Sequence, residues 1–291
     1  RSRVFSNTRP RVLFLTNCMM GLIRWRKSSC LGCSAMDAVL DEDLPTPRLT
    51  LEEAQRTSVI RVPGLLSADD IAAIHDLAAR SRSICGAASR CNDDLGGAAK
   101  WSKLFLSSNR LFQQALPDIH AKLVQCAMNV DQTHFHLIGA GTRVQTRVIE
   151  YHEVLPGGRL SEPTHYDSGS VLTIDVMLSS PGVDFEGGAF TSESPAGDFG
   201  GCAFEVPGDA VVFVSHKYHS VQPVTRGLRR VLVMELWEGE ERECGHRCER
   251  RSGTCNFRPA ALVIQDALDE FPEEDREAAL RFLAKQARCG L

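Results

Sequence analysis

The chain has 291 residues, 43% hydrophobic and 24% charged, with 33 Lys+Arg against 37 Asp+Glu and a formal net charge of −4. This balance excludes a disordered or collagenous chain, and the mild acidity leaves no footprint for nucleic acid. No run approaches the roughly 18–20 consecutive apolar residues of a membrane helix, and the length suits one large domain with appendages or two small ones.

Charge is unevenly spread. Residues 1–36 hold seven basic groups (Arg1, Arg3, Arg9, Arg11, Arg24, Arg26, Lys27) and no acid, so the remainder carries −11 of the −4 total. A basic, acid-free leader around Val12–Ile23 has the make-up of a targeting segment, either a secretory signal or a transit peptide. The alternative is a truncated or non-native extension, with initiation at Met19, Met20 or Met36. Eleven cysteines, among them the Cys30/Cys33 pair, lean towards an oxidising compartment. The endoplasmic reticulum or secretory pathway is therefore expected, with another organelle or the cytoplasm as the alternatives.

Residues 37–58 are polar, contain Pro45 and Pro47, and read as a linker. Ser58–Pro63 reads as a short strand. Ser67-Ala-Asp-Asp70 then supplies an N-cap and an acidic first turn for a helix to about Arg80, with Ile71, Ile74 and Leu77 on one face. Ser81–Ala99 is expected to be a loop flanked by Cys85 and Cys91, and Asn109–Asn129 a helical region interrupted near Pro117. From Thr142 the periodicity changes to short β-branched and aromatic runs between Gly, Pro, Ser and Asp. Eight strands are predicted: Arg143–Val154, Leu160–Tyr166, Ser170–Leu178, Gly188–Ser192, Cys202–Val206, Ala210–Ser215, Ser220–Thr225 and Arg229–Leu236. Eight strands in so short a stretch suggest a jelly roll, which hides its edges. The expected fold is mainly β with flanking α, a double-stranded β-helix core over 143–237 within a domain spanning 59–240, and supporting helices on one face. Residues 241–291 form a cysteine-containing segment and two C-terminal helices broken at Phe271-Pro272.

The chemistry concentrates in this core. The second strand runs into His165-Tyr-Asp167, whose two polar side chains would point the same way off a strand. His219, on a neighbouring strand, can supply a third ligand. Two imidazoles and one carboxylate occupy one face of an octahedral metal and leave three positions open, the set used with non-haem Fe(II). His-x-Asp alone is weak in a chain with nine histidines. The context strengthens it: ten residues past His219, the last strand opens on Arg229. In the third strand Leu172, Ile174, Val176 and Leu178 should pack on the helices, which turns Thr173 and Asp175 to the barrel interior. Trp237 shares the parity of Arg229 and is expected in packing. His216, His152, His134 and His136 read as structural.

Five motifs occur in one order: Tyr151-His-Glu-Val-Leu-Pro-Gly-Gly158, His165-Tyr-Asp167, Phe185-Glu-Gly-Gly188, Gly208-Asp-Ala-Val-Val-Phe213, and His219-x3-Pro223-Val224-x2-Gly227-x-Arg229. Together they resemble the prolyl 4-hydroxylase-like branch of the Fe(II)/2-oxoglutarate-dependent dioxygenase superfamily, over about Val62–Trp237. The resemblance implies His165, Asp167 and His219 as iron ligands carrying catalysis, and Arg229 as the partner of the distal carboxylate of 2-oxoglutarate. A planar guanidinium fork matches a carboxylate in bidentate fashion, which agrees with that role. Some relatives carry Lys at the matching position. Tyr151 would line the cosubstrate pocket, and Thr173 would lie near 2-oxoglutarate. The cofactors implied are Fe(2+), 2-oxoglutarate as cosubstrate and L-ascorbate. The activity implied is hydroxylation of an unactivated C–H, on a prolyl residue of a peptide or protein, with release of succinate and CO2. No nucleic acid and no stable membrane span is expected. The alternative is a non-catalytic or redox-neutral cupin-like jelly roll, for which a cation at Arg229 has no use.

After the core comes Cys244-Gly-His246-Arg-Cys248, with Cys255 seven residues on. One reading is a zinc site of three thiolates and one imidazole, although the spacing is not that of a usual finger. The preferred reading is disulfide pairing, with Cys85, Cys91 or Cys202 as upstream partners, and free thiols are the third.

Overall fold

A computed structural model describes residues 48–82, 87–90, 100–139, 141–197, 199–202 and 204–255, with the side chains of 87–90, 199 and 202 excepted. The basic leader, most of the expected linker, Cys85, Cys91 and the expected C-terminal helices lie outside the described residues.

The elements in order are α1 (Leu51–Gln55), β1 (Ile60–Val62), α2 (Ala68–Ser81), β2 (Ala87–Arg90), β3 (Trp101–Phe105), α3 (Leu111–Ala115) and α4 (Pro117–Val130). They are followed by β4 (Gln145–Val154), β5 (Leu172–Met177), β6 (Phe185–Gly187), β7 (Phe190–Glu193) and β8 (Phe199–Cys202). The last four are β9 (Ala210–Val214), β10 (His219–Val221), β11 (Val224–Gly227) and β12 (Arg229–Trp237). The main sheet has seven strands in the order β1-β9-β5-β12-β4-β3-β2; a three-stranded sheet, β10-β7-β8, and a pair, β11-β6, oppose it. All named pairings are antiparallel. This is the jelly-roll architecture expected, with helices on one face.

Local chemistry explains the helices. Ser67 and Asp70 close a reciprocal capping box that satisfies the first backbone donors of α2. Pro117 sits at the first position of α4, where its missing N–H costs nothing. Ile71, Ile74, Leu77, Ile119 and Leu123 are buried and meet Ile149, Tyr151, Leu172, Ile174, Val176, Leu232 and Met234 of the main sheet in one apolar layer. Each fully buried large apolar side chain contributes roughly 1.5–3 kcal/mol there. Among the described residues no helix is long and apolar enough to cross a membrane.

The structure differs from expectation in several places, one of them the unanticipated β6 (Phe185–Gly187). The end of the expected linker contains α1, whose Thr50–Glu53 capping box holds a helix only five residues long. The loop from Ser81 contains β2, paired to an unanticipated β3. Leu160–Tyr166 is not a strand: Leu160 makes one isolated bridge to Val221, and Pro163, which has no N–H to donate, interrupts the ladder. Cys202–Val206 is shifted back to Phe199–Cys202. Ser220–Thr225 splits into β10 and β11 around Pro223 for the same reason as at Pro163.

The inner face of the main sheet carries the second period-two set. Met177, Phe190, Phe213, Val221, Val231 and Val233 form an apolar layer between the sheets. Thr173 and Asp175 on β5, and Arg229 and Glu235 on β12, share that inner face and are buried. Burying charges on this scale demands partners, and it marks the place where the fold departs from a plain sandwich.

Candidate active site

His165 and Asp167 lie on an extended loop rather than on a strand. Two backbone bonds nevertheless pin them, one past the end of β9 and one at the start of β10: the Asp167 N–H donates to the Ser215 carbonyl (2.8 Å) and the His219 N–H donates to the His165 carbonyl (3.0 Å). A strand-like backbone without a full ladder thus produces the same side-chain convergence. Nε2 of His165 lies 3.6 Å from Asp167 Oδ1, and Nε2 of His219 lies 3.9 Å from Asp167 Oδ2. One ligand atom from each of the three falls within 4.8 Å of the others. His216 is outside this group; its ring meets Tyr166 edge-on.

The surroundings fix each ligand. His219 Nδ1 is 3.0 Å from the Lys217 carbonyl; a carbonyl only accepts, so Nδ1 carries the proton and Nε2 keeps its lone pair for a metal. The ring stacks on Phe190 at 5.5 Å and meets Phe213 at 4.9 Å. Burial pushes the His219 imidazole down to about 4, with Asp167 opposing. The loop before it is held by α1: Gln55 Nε2 donates to the His216 carbonyl, Gln55 Oε1 accepts from the Tyr218 N–H, and Lys217 Nζ donates to the Gln55 carbonyl. Asp167 is buried, which alone would raise its carboxyl, but His219, Arg247 and His165 hold it well below the usual carboxylate range.

Thr173 faces inward as expected, and its hydroxyl donates to Asp167 Oδ2 at 2.9 Å. It orients a ligand and is not among the residues lining the cavity that contains Arg229. Tyr151, expected in the cosubstrate pocket, is on the opposite face. Its hydroxyl is 2.9 Å from His75 Nδ1 within the helix-side core. The reason is register: Arg229 pairs with Val154 and Val231 with His152, so the even-numbered residues of β4 turn inward. Glu150 and His152 accordingly line the cavity instead. Trp237 is fully buried, its indole N–H donating to the Glu240 carbonyl. His134 and His136 are exposed.

Arg229 is buried and lines the same cavity as His165, Asp167 and His219. Its Nε has no hydrogen-bond partner among the described residues. Burial pulls the guanidinium down to about 10, with Asp175 opposing. Gly188 makes room for it: at φ +63°, a Cβ there would stand 2.7 Å from Arg229 Cδ.

Asp175 is the carboxyl that acts on this cation, and burial pushes it up to about 8, with Asp167 adding to the rise and Arg229 opposing. Its folded value lies above the ordinary 3.8, so its contribution to stability is intact below 3.8 and is lost as pH rises through about 8. Asn mimics the protonated acid at every pH. For the metal-free protein, the urea midpoint of Asp175→Asn minus that of wild type should therefore grow from about pH 4 to about pH 8. A constant difference would show that Asp175 does not titrate there.

Several cavity residues had no sequence signal, among them Lys103, Glu150 and Arg247. Arg247, from the cysteine-containing segment, reaches in with Nη1 at 3.2 Å from Asp167 Oδ1 and Nη2 at 2.6 Å from Glu235 Oε1. Arg147 and Lys103 add cations to the same buried acids, at 3.3 Å from Glu235 and 3.0 Å from Glu150. The charge of this interior is thus balanced by three basic side chains apart from Arg229.

The donor set suits a ferrous ion: two imidazoles and a carboxylate, with one ligand tautomer fixed and the carboxylate oriented from behind. The buried guanidinium of Arg229, whose Nε has no partner among the described residues, suits an anionic ligand in the same cavity.

No family model matches the chain, and no curated protein does. Solved structures similar to it include an oxidoreductase of the 2OG-Fe(II) oxygenase family from Burkholderia pseudomallei, 16% identical over 70% of this chain and 91% of that one, TM-score 0.43. A Pseudomonas putida prolyl-4-hydroxylase is 17% identical over 65% and 97%, TM-score 0.43. A non-heme alpha ketoglutarate dependent epimerase from nogalamycin biosynthesis is 16% identical over 65% and 83%, TM-score 0.46.

Proposed function

We propose that this protein is an Fe(II)- and 2-oxoglutarate-dependent dioxygenase that hydroxylates an unactivated C–H bond on a prolyl residue of a peptide or protein. The observation that carries the reading is the presence, in one cavity, of the His165–Asp167–His219 donor set and a buried Arg229 without a hydrogen-bond partner at Nε. Neither feature explains the other structurally. Together they match an oxidation that needs a metal and a dicarboxylate at adjacent positions.

Iron, when bound, supplies the activation of O2 and the oxidative decarboxylation of 2-oxoglutarate to succinate and CO2. The protein's residues do the rest. Arg229 would take the distal carboxylate in a bidentate pair, in a setting where burial strengthens the attraction. Thr173 holds the Asp167 carboxylate, and the Lys217 carbonyl holds the His219 ring. Phe190, Phe213, Val221 and Val231 keep that side of the cavity dry. His165, at 13% side-chain exposure against 7% for His219, is the most open ligand and marks the side from which a substrate can approach. An intact Asp167 argues against a halogenase, in which halide takes the carboxylate's place.

The prolyl substrate and the need for ascorbate are carried by the sequence resemblance. The test is succinate formation from 2-oxoglutarate by the iron-loaded full chain against a panel of proline-containing peptides, with peptide mass read in parallel. Succinate together with one added oxygen on proline is expected. Succinate coupled to a product without added oxygen would replace hydroxylation by another oxidation. No 2-oxoglutarate-dependent succinate under any condition would favour the cupin-like alternative.

A further inference from the structure

Beyond β12, residues 239–255 run without helix or strand. Cys248, at 1% exposure, and Arg242, at 5%, are well buried there. So little apolar burial cannot hold a loop against its conformational entropy, which costs roughly 1–2 kcal/mol per fixed backbone residue. Hydrogen bonds to carbonyls supply part of the restraint: Arg147 Nε donates to Cys248 (2.7 Å), and Arg242 donates to Gly253 (2.8 Å) and to Arg250.

The same loop gathers four soft donors. One ligand atom from each of Cys244, His246, Cys248 and Cys255 lies within 4.8 Å of the others, and His246 Nε2 is 3.2 Å from Cys255 Sγ. The three cysteines form no disulfide with one another; Cys85, Cys91 and the Cys202 side chain, the upstream partners considered for pairing, lie outside the described residues. A tetrahedral zinc site with Zn–S of about 2.3 Å and Zn–N of about 2.0 Å separates its donors by roughly 3.5–3.8 Å. The observed cluster is close to that size, and small side-chain rotations close it.

We propose that Cys244, His246, Cys248 and Cys255 bind a structural zinc ion, and that this clip fixes Arg247 across the carboxylates of Asp167 and Glu235. Three thiolates and an imidazole make a closed, soft, four-coordinate set with no open position, as structural zinc requires. Binding displaces three thiol protons to solvent and involves no redox change. The Cys-x-His-x-Cys spacing, odd for a finger, has a reason here. The chain bends at Gly245 and His246, and the ligand atoms of residues 244, 246 and 248 converge around that bend. Positions 244, 246 and 248 therefore share the metal side, and Arg247 is turned to the cavity, where its guanidinium meets Asp167 and Glu235. Arg247 is a positioning residue, and the zinc clip is what presents it.

The clip stands or falls independently of the proposed oxidation, so the test uses the whole chain in which His165→Ala and His219→Ala disable the other metal site and leave the carboxylates facing Arg247 in place. After chelation and zinc titration, metal analysis should find one tightly held zinc per chain, lost when Cys244→Ser and Cys255→Ser are added. Cobalt in place of zinc should show a thiolate-to-metal charge-transfer band. Limited trypsin digestion reads the second half: removing zinc, or the two cysteine changes, should speed cleavage after Arg247 by about tenfold or more, as a locally ordered segment opens. Circular dichroism confirms that the fold survives, since Cys244 and Cys255 are only half-buried. No zinc in the triad-disabled protein, or zinc unaffected by the cysteine changes, overturns the site. Equal cleavage with and without zinc overturns the anchoring of Arg247.

Discussion

Replacing Arg229 by Ala will raise the apparent KM for 2-oxoglutarate by roughly two to four decades, because an unpaired buried carboxylate costs on the order of 3–5 kcal/mol. The guanidinium is 2% exposed and lines the cavity of the three candidate ligands. Arg229→Lys will recover part of the loss, since it restores the charge but not the fork. Two neighbours serve as controls. Arg226 is half exposed and pairs with Glu186 on the far edge, while Arg230 turns to the other face of β12 and pairs with Glu153. Alanine at either should leave the cosubstrate KM within a few fold of wild type. Equal effects at all three would replace a specific pair by a diffuse basic patch, and an unchanged KM in Arg229→Ala would remove it from the pocket.

Alanine at His165, Asp167 or His219 will abolish turnover and strip the ferrous ion. The loss in metal affinity must exceed the 10–100-fold, roughly, that removing an outer partner of a ligand costs. Asp167 stands at the centre of the arrangement, within 3.6 Å of one imidazole nitrogen and 3.9 Å of the other. Its removal also takes away one of the carboxylates that face Arg247. Titration with Mn(II), followed by its paramagnetic resonance signal, reads affinity without relying on turnover. Any one variant that keeps wild-type affinity removes that residue from the metal centre.

The features legible in sequence were local or periodic. The capping box Ser67–Asp70 announced α2, and the alternation Leu172-Thr173-Ile174-Asp175-Val176 assigned each β5 side chain to a face before any partner strand was known. The ordered spacing of His165, Asp167, His219 and Arg229 located the site. What misled was carrying a role across by motif alone. Tyr151 follows the family pattern, yet the face of β4 it occupies depends on which residue of β12 it pairs beside. A slip of one residue would reverse that assignment.

By itself, then, the sequence determined the sheet-rich core and its helical cover, because periodicity is written in the order of residues, and it pointed to the three candidate ligands and to Arg229 through their spacing together with the family resemblance. Only the tertiary structure decided the rest. It turned Thr173 into the support of Asp167 rather than a wall of the cavity, because the loop carrying Asp167 is tied by two backbone bonds to the segment that leads from β9 into β10. It brought Arg247 to Asp167, 80 positions apart along the chain. Those contacts join segments that share no period and no motif. Their partners are chosen by where the chain closes on itself and by the need of buried carboxylates for counter-charge, and neither is visible along one dimension.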